Sequence, residues 1–245
     1  MKRIVILVLL LALPLLAQAA EPRMLDANIP AAGMNTVAII AGISEIHITP
    51  SSDDVIHVHV ILEQNSGDVL WFLHWQSPSA AQEIQAAQIS QKRQGQRLVL
   101  SLSTTGNLDN DNVKQKWIMQ VPERMGVDLD MKVGEASVDG IAGGVRADMN
   151  VGELDMDVPR GALSAKINVG QISATTGTLQ PGKILLSSNI GQASLYMNGK
   201  YLSHAGEHSG LGRKVTIDGS GPDSMHFSVN IGEVDLRVES DTDKK

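Results

Sequence analysis

Residues 127–138 spell VDLDMKVGEASV and residues 145–156 spell VRADMNVGELDM, and the pattern that these stretches share decides the fold. Its centre is an aliphatic residue, a glycine and then Glu or Gln. The pattern occurs five times, with its glycine at Gly134, Gly152, Gly170, Gly191 and Gly232. The glycines are separated by 18, 18, 21 and 41 residues, and Leu211-Gly212 divides the last interval into 21 and 20. A fixed period near twenty residues predicts a stacked array, with a sixth, worn copy at Gly212.

Apolar residues alternate along each copy, which is the period of a strand with one buried face. In the first copy they are Val127, Leu129, Met131 and Val133 before the glycine, and Ala136 and Val138 after it. The alternating apolar positions therefore shift by one residue at the glycine. A glycine at that point predicts a bend or bulge, so each copy should form two short strands that meet at a corner.

Stacking the copies as rungs would bury these apolar columns and align the asparagines that precede four of the glycines. These asparagines are Asn150, Asn168, Asn189 and Asn230. We expect their side-chain amides to hydrogen-bond from rung to rung. Glu207 and Lys214 fall at inward positions of the worn copy, where we expect a loop excursion over 198–211 rather than a buried charge pair.

The sequence therefore predicts an all-β fold with a β-solenoid-like stack of about six 18–21-residue rungs over residues 122–238. An ordinary β-sandwich is the alternative, but sandwiches seldom keep so fixed a period.

Residues 20–121 have a different pattern, which predicts an antiparallel β-rich cap on the first rung. Strands are predicted at 36–40, 45–49, 55–62, 97–103 and 116–121, with turn residues at 49–54 and a hairpin around Gly95. One short candidate helix covers 79–87, with Ser79 as its capping residue. The polar residues 239–245 predict a disordered tail.

Residues 1–19 have the composition of a signal peptide. Lys2 and Arg3 precede the apolar stretch 4–16, and Ala17-Gln18-Ala19 forms a small-x-small cleavage pattern. We expect cleavage after Ala19, export to the periplasm or cell surface, and no transmembrane segment in the mature chain.

No cysteine occurs, which excludes disulfides, thiolate metal sites and a lipid anchor. The formal net charge of −7 argues against nucleic acid and anionic lipid as main partners.

The order of these features resembles a known family. Strands of the form Val58-x-Val60 and Leu98-x-Leu100-x-Leu102 are followed by Val121-Pro122, by Val127-x-Leu129 and then by the Val-Gly-x-Leu repeats. This order is similar to the putative-adhesin β-strand-repeat domain family of bacterial cell-envelope proteins, over roughly residues 36–238. The resemblance implies the architecture. It implies no catalytic residues, because the family's molecular function is undefined. We expect the chain to lack the transmembrane anchor that some members of that family carry.

Three histidines form the most prominent candidate metal site. His57 and His59 share the polar face of one predicted strand, and a hairpin through Pro50 would place His47 beside them. Three imidazoles on one face are suitable ligands for copper or zinc. Solvent-facing strand histidines are the alternative interpretation, and on that basis we assign no metal and no cofactor.

Other candidate groups are weaker. His204 and His208 flank Glu207, but the surrounding glycines and serine predict a loop rather than a metal-binding helix. Asp109 and Asp111 lie in a polar loop without the glycine and glutamate of a calcium loop. The aromatic cluster Trp71, Phe72 and Trp75 is suited to stacking on a sugar, although packing between the two halves of the chain is the simpler interpretation.

The sequence contains no unique catalytic constellation, so we assign no catalytic residue. Acids recur in register at Glu135, Glu153 and Glu233, and again at Asp155 and Asp235. Repeated acids are typical of a solvated outer face. We therefore predict a non-enzymatic, adhesin-like envelope protein that presents a repeat flank to a protein or glycan partner. A carbohydrate-active β-helix enzyme, either a glycosidase or a lyase, is one alternative. A periplasmic copper- or zinc-binding protein is the other.

Overall fold

A computed structural model describes residues 22–64, 78–103, 113–178, 180–202, 207–209 and 211–239. The strands are β1 (Arg23–Pro30), β2 (Thr36–Ser51), β3 (Val55–Gln64), β4 (Gln88–Gln94), β5 (Arg97–Ser103), β6 (Val113–Pro122), β7 (Gly126–Asp139), β8 (Val145–Val158), β9 (Leu163–Thr176), β10 (Pro181–Met197), β11 (Lys200–Tyr201), β12 (Glu207–Ser209), β13 (Gly212–Ile217) and β14 (Asp223–Val238), and the helix is α1 (Pro78–Ala86). The all-β prediction is confirmed. No helix among the described residues is long and apolar enough to cross a bilayer.

These strands form one sheet that does not close on itself. Its main order is β1-β3-β6-β2-β7-β8-β9-β14-β10-β13-β12. The five strands that carry the repeated glycines are parallel and stay in register, so Gly152 lies beside both Gly134 and Gly170, and Gly232 lies between Gly170 and Gly191. The sequence period therefore corresponds to glycine stacked on glycine.

Each repeat strand bends at its glycine. β7 has 14 residues and would be roughly 43 Å long if it were straight. Val145 of β8 pairs with Val127 of β7, yet the connection over residues 140–144 spans at most about 21 Å. β7 must therefore turn back, and Gly134, with φ +139°, stands where the buried parity changes. The residues before each repeated glycine are called the upstream limb below, and those after it the downstream limb.

The core consists of the apolar columns that the sequence predicts, with one exception. In all five repeat strands the residues seven, five and three before the glycine and two and four after it are buried. The residue immediately before the glycine was predicted to be buried as well, and this prediction is wrong. These residues are 37% to 46% exposed, and they are Val133, Val151, Val169, Ile190 and Ile231. The bend places two consecutive side chains outside, so the alternation stops one residue earlier than the sequence suggests.

The predicted sixth copy at Leu211-Gly212 is also wrong. Gly212 begins β13, which pairs antiparallel with the upstream limb of β10, and Leu211 is 79% exposed. The excursion predicted over 198–211 includes β11, which folds back so that Tyr201 pairs with Tyr196. Lys214 is exposed, as expected for a charge outside the core.

A sixth parallel strand comes instead from the N-terminal half. β2 pairs with β7 in register, and its Ser44 lies beside Gly134. The predicted strands 36–40 and 45–49 are therefore two limbs of one strand. The upstream limb of β2 also pairs with β5, and its downstream limb pairs with β6, so the sheet divides at this end.

Helix α1 lies near the diverging strands. Its Ile84 is buried in the core, and Arg23 of β1 donates hydrogen bonds to the carbonyl oxygens of Ile84 and Gln85. The predicted helix is confirmed with bounds Pro78–Ala86, so Ser79 lies inside the helix and does not precede it as a cap. The predicted hairpin is confirmed, since β4 and β5 pair antiparallel across Gly95, whose φ is +63°.

Candidate functional site

The exposed residues that precede the glycines form a continuous stripe, here called the corner ridge. Its members, in spatial order, are Val133, Val151, Val169, Ile231 and Ile190. Neighbouring strands are about 4.8 Å apart, so the ridge is roughly 19 Å long. Each member is β-branched and apolar although water reaches more than a third of its surface. The ridge is therefore an apolar edge on the outside of the molecule.

The outward side chains of the downstream limbs form a second surface, here called the acidic face. Its acids are Glu135, Asp139, Glu153, Asp155, Asp157, Glu233 and Asp235. Arg237 is the single cation among the described residues of these five limbs. In the part of the chain that the structure describes, Glu135, Glu153 and Asp155 have no lysine or arginine within ion-pair distance. The acidic face therefore carries a strong excess of negative charge.

The neighbouring acids affect the pKa of Asp139. Burial raises the pKa of its carboxyl group, and the negative charges of Asp157 and Asp155 raise it further, while His47 partly opposes them. Asp139 and Asp157 are register partners on β7 and β8. A like charge beside it on the adjacent strand disfavours the ionised form of Asp139.

An asparagine ladder borders the corner ridge on its other side. Asn168 Nδ2 donates to Asn150 Oδ1 at 3.3 Å, Asn230 Nδ2 donates to Asn168 Oδ1 at 3.2 Å, and Asn189 Nδ2 donates to Asn230 Oδ1 at 3.0 Å. The predicted hydrogen bonding between asparagines of neighbouring repeats is confirmed. Its order follows space rather than sequence, because β14 lies between β9 and β10.

A polar network joins the acidic face to β6. Lys116 Nζ lies 2.7 Å from Glu45 Oε1, and His47 Nε2 lies 2.8 Å from the same oxygen. His47 Nδ1 lies 2.8 Å from Ser137 Oγ on β7. The hydrogen bond from Lys116, followed by that from His47, lowers the pKa of Glu45 from 4.5 to about 2. This end of the face is therefore neutralised, in contrast to the centre.

The three candidate metal ligands do not come together as predicted. β6 separates β2 from β3, so the hairpin through Pro50 does not place His47 beside His57 and His59. The predicted proximity is wrong because β6, distant in sequence, enters between the two strands. Among the described residues, no group of three potential ligands is arranged to hold a metal ion.

His57 and His59 instead bond to side chains on β1 and in the adjoining turn. His57 Nδ1 lies 2.7 Å from Asn28 Oδ1, and its Nε2 lies 3.0 Å from Asp53 Oδ1. His59 Nδ1 lies 2.7 Å from Asp26 Oδ1. Hydrogen bonds from Ser51 and then from His57 lower the pKa of Asp53.

Several candidate residues lie outside the described part of the chain. These are Trp71, Phe72 and Trp75, Asp109 and Asp111, and His204. His208 belongs to β12, where only the backbone is described. The predicted signal peptide 1–19 and its predicted cleavage point after Ala19 also lie outside it.

Two features were missed by the sequence analysis. The phrase Ile43-Ser44-Glu45 matches the repeat except that serine replaces glycine, and this signal would have identified β2. Tyr196 and Tyr201 pack edge to face with ring centroids 5.0 Å apart, and the Arg237 guanidinium lies 5.8 Å from the Tyr196 centroid. This cluster ends the acidic face at β10, and Arg237 is too distant in sequence from Tyr196 to be matched with it by pattern alone.

A groove of about 490 Å³ lies on the outer surface of the upstream limbs, between β5 and β8. Ile40, which is 49% exposed, contributes to its floor. Its charged lining consists of Arg97, Asp128, Asp130, Arg146 and Asp148. Arg97 lies 2.9 Å from Asp128, whereas Asp130 and Asp148 are register partners on adjacent strands.

Comparison with known proteins gives similarity in structure only. No family model matches the sequence, and no curated protein matches it. A structure described as a putative cell adhesion protein from Clostridium sporogenes aligns with a TM-score of 0.55 and 12% identity, covering 89% of this chain and all of that one. A putative adhesin from Bacteroides fragilis aligns with a TM-score of 0.32 and 10% identity, covering 89% and 98%. The chain thus shares its fold with a bacterial protein described as a putative cell adhesion protein, as the resemblance in sequence predicted.

Proposed function

We propose that this chain is a non-enzymatic, adhesin-like module of the bacterial cell envelope that binds a partner along its repeat flank. The observation that carries the proposal is the in-register repetition of solvated side chains on the acidic face, beside the corner ridge. A catalytic site needs one arrangement of groups at one place, whereas a binding flank benefits from the same arrangement repeated along its length. The shared fold is consistent with this role and does not identify the partner.

The architecture proposed for this role is a solenoid. Each bent repeat strand and its connection would form one rung, and the rungs would stack over residues 122–238. Residues 20–121 would cap the first rung through β2, which pairs with β7. The short connections from β7 to β8 and from β8 to β9 support this arrangement. We also propose that residues 1–19 are a signal peptide cleaved after Ala19, that the mature chain acts in the periplasm or at the cell surface, and that residues 239–245 form a tail.

The test is cross-linking of the tagged chain in intact cells of its own host, followed by mass spectrometry. We expect one reproducible protein or glycan partner. Photo-reactive side chains placed on the acidic face should cross-link to it, whereas those placed at Ser164 on the upstream limb of β9 should not. Equal cross-linking from both surfaces, or no partner from either, would contradict the proposal.

A carbohydrate-active enzyme is the second candidate function, because the groove on the upstream limbs brings carboxylates together. The Cα atoms of the register partners Asp130 and Asp148 are about 4.8 Å apart, and paired carboxylates can cleave a glycosidic bond. A screen of polysaccharide cleavage tests this role. Cleavage by the parent that is abolished by Asp130→Asn with Asp148→Asn would favour the enzyme.

A further inference from the structure

The corner ridge and the acidic face are one contiguous surface. In each repeat strand the ridge residue immediately precedes the glycine and a Glu or Gln immediately follows it, as in Val151-Gly152-Glu153. All three positions are in register from β7 to β10. An apolar stripe roughly 19 Å long is therefore bordered along its whole length by polar and acidic side chains.

Two exposed positions of the repeat, one on each side of the glycine, can be compared directly. The positions immediately before and after the glycine are both exposed in every copy, yet one is always Val or Ile and the other always Glu or Gln. Solvent exposure alone thus permits polar residues at the corner. The ridge position is apolar in all five copies, as expected of a surface that contacts another apolar group.

The charge of the adjoining face restricts the partner. A second copy docked through a two-fold axis would bring the same acidic surface onto itself or close to itself, and repulsion would oppose that contact. Nucleic acid, anionic lipid and acidic glycans are disfavoured for the same reason. A partner that carries positive charge together with apolar groups complements both parts of the surface.

We infer that the corner ridge and the acidic face form a docking surface for a cationic amphipathic helix of a partner protein. This inference rests on the proposed function and specifies the partner's chemistry. Apolar residues repeated along one stripe of the helix would lie on the ridge, and lysines or arginines beside that stripe would contact the acids. A helix rises 1.5 Å per residue, so about 13 residues cover the roughly 19 Å of the ridge.

The helix pitch and the strand spacing are similar. One helical turn advances about 5.4 Å and one repeat strand about 4.8 Å, so a helix aligned with the ridge would place roughly one apolar side chain on each ridge residue. Binding would be fast and sensitive to ionic strength, since the acids are exposed and their attraction is screened by salt.

The experiment measures binding of synthetic peptides to the mature chain by isothermal titration calorimetry. Three amphipathic peptides of about 14 residues are used: one of Leu and Lys, one of the same pattern with Glu for Lys, and one with Ser for Leu. We expect only the Leu/Lys peptide to bind. Its affinity should fall about tenfold in Glu135→Gln with Glu153→Gln, and again in Val133→Thr with Val151→Thr.

The matched control is Asp130→Asn with Asp148→Asn, which removes the same number of charges from the same two strands but from the upstream limbs. We expect this variant to bind the Leu/Lys peptide as the parent does. An equal loss of affinity in the control would show attraction to overall charge and would overturn the docking surface. Binding of the Lys/Ser peptide with parental affinity would overturn the role of the ridge. Thermal melts of each variant verify that it is folded.

Failure of this inference can be separated from failure of the proposed function. If cross-linking in cells captures a partner equally with the parent and with the Glu135→Gln, Glu153→Gln variant, the module binds a partner elsewhere and the docking surface is wrong. If the parent captures no partner, the proposed function itself fails, whatever the peptides do.

Discussion

Gly170 shows how closely the repeat strands approach one another at the corner. Its φ is +147°, and a Cβ atom added there would lie 1.8 Å from the carbonyl oxygen of Gly152. An added methyl group would therefore collide with backbone, in a conformation that L-residues rarely adopt. The same geometry recurs at Gly134, Gly152 and Gly232.

Replacement of Gly170 tests this corner. We expect Gly170→Ala to destabilise the chain by more than about 3 kcal/mol, because both strain and collision act, and Gly170→Val to cost at least as much. Gly95 is the matched control, since its φ is +63° and nothing lies within 4 Å of an added Cβ. Gly95→Ala should cost about 1 kcal/mol in urea unfolding. Similar costs for the two alanine variants would contradict the corner assignment.

The ionisation of Glu45 makes the stability of the folded chain depend on pH. The pKa of its carboxyl group is lowered from 4.5 to about 2, so the folded chain holds the ionised form more tightly than the unfolded chain does. The resulting stabilisation is present above pH 4.5 and is lost as the pH falls toward 2. We expect Glu45→Gln to cost about 1–2 kcal/mol at pH 7, less than the full shift implies because solvent screens the group, and to lose less stability between pH 4.5 and 2.

The control for this titration is Glu135→Gln. It removes the same charge from the neighbouring strand, at an acid without a lysine or arginine at ion-pair distance among the described residues. At pH 7 its melting temperature should lie closer to the parent's than that of Glu45→Gln does, and all three chains are melted from pH 7 to pH 2. If Glu45→Gln and the parent lose stability in parallel over this range, the ion pair with Lys116 does not carry the effect.

At the scale of elements, the asparagine ladder holds neighbouring strands in register. Asn168 is an inner member, because it donates to Asn150 and accepts from Asn230, whereas Asn189 ends the ladder and only donates to Asn230. We expect Asn168→Ala to cost about 1–2 kcal/mol and Asn189→Ala about half as much, measured by urea unfolding. A larger cost at Asn189 would show that these amides act independently of the ladder.

The elements also show what a sequence can and cannot predict. The buried columns and the stacked asparagines were predictable, because periodicity and equal spacing express them directly. The ridge was assigned to the core because Val133 continues the apolar alternation, and only the bend reveals that this residue faces water. Ser44 concealed β2, since the repeat was identified by its glycine. The separation of His47 from His57 depends on β6, whose position between distant strands leaves no local signal.

For the whole molecule, the proposed solenoid predicts that one rung can be removed. Residues 145–162 form one 18-residue period, and Val127 pairs with Val145 just as Val145 pairs with Leu163. Deletion of 145–162 would therefore bring β9 directly onto β7 with the same register and connection length. We expect a folded β-protein with lower stability and a smaller urea m-value than the parent.

The deletion is compared with a second one, 136–153, which removes the same number of residues from a different point of the period and joins Glu135 to Leu154, the register partner of Ala136. Circular dichroism and urea unfolding should show a cooperative fold for both deletions, because each removes one whole period. Because both cuts preserve the period, equal folding of the two supports stacking of interchangeable rungs, whereas unfolding of both would favour a sandwich whose strands have unique positions.

The position of β14 between β9 and β10 determines the order in which these strands can pair during synthesis. A polypeptide made from its N-terminus emerges with β10 before β14, so β10 has no permanent neighbour on that side until the last strand arrives. The final segment then completes two parallel interfaces at once, with β9 and with β10. Chains that terminate before Asp223 would leave both interfaces unpaired. We therefore expect cells to degrade these truncated chains faster than the full chain.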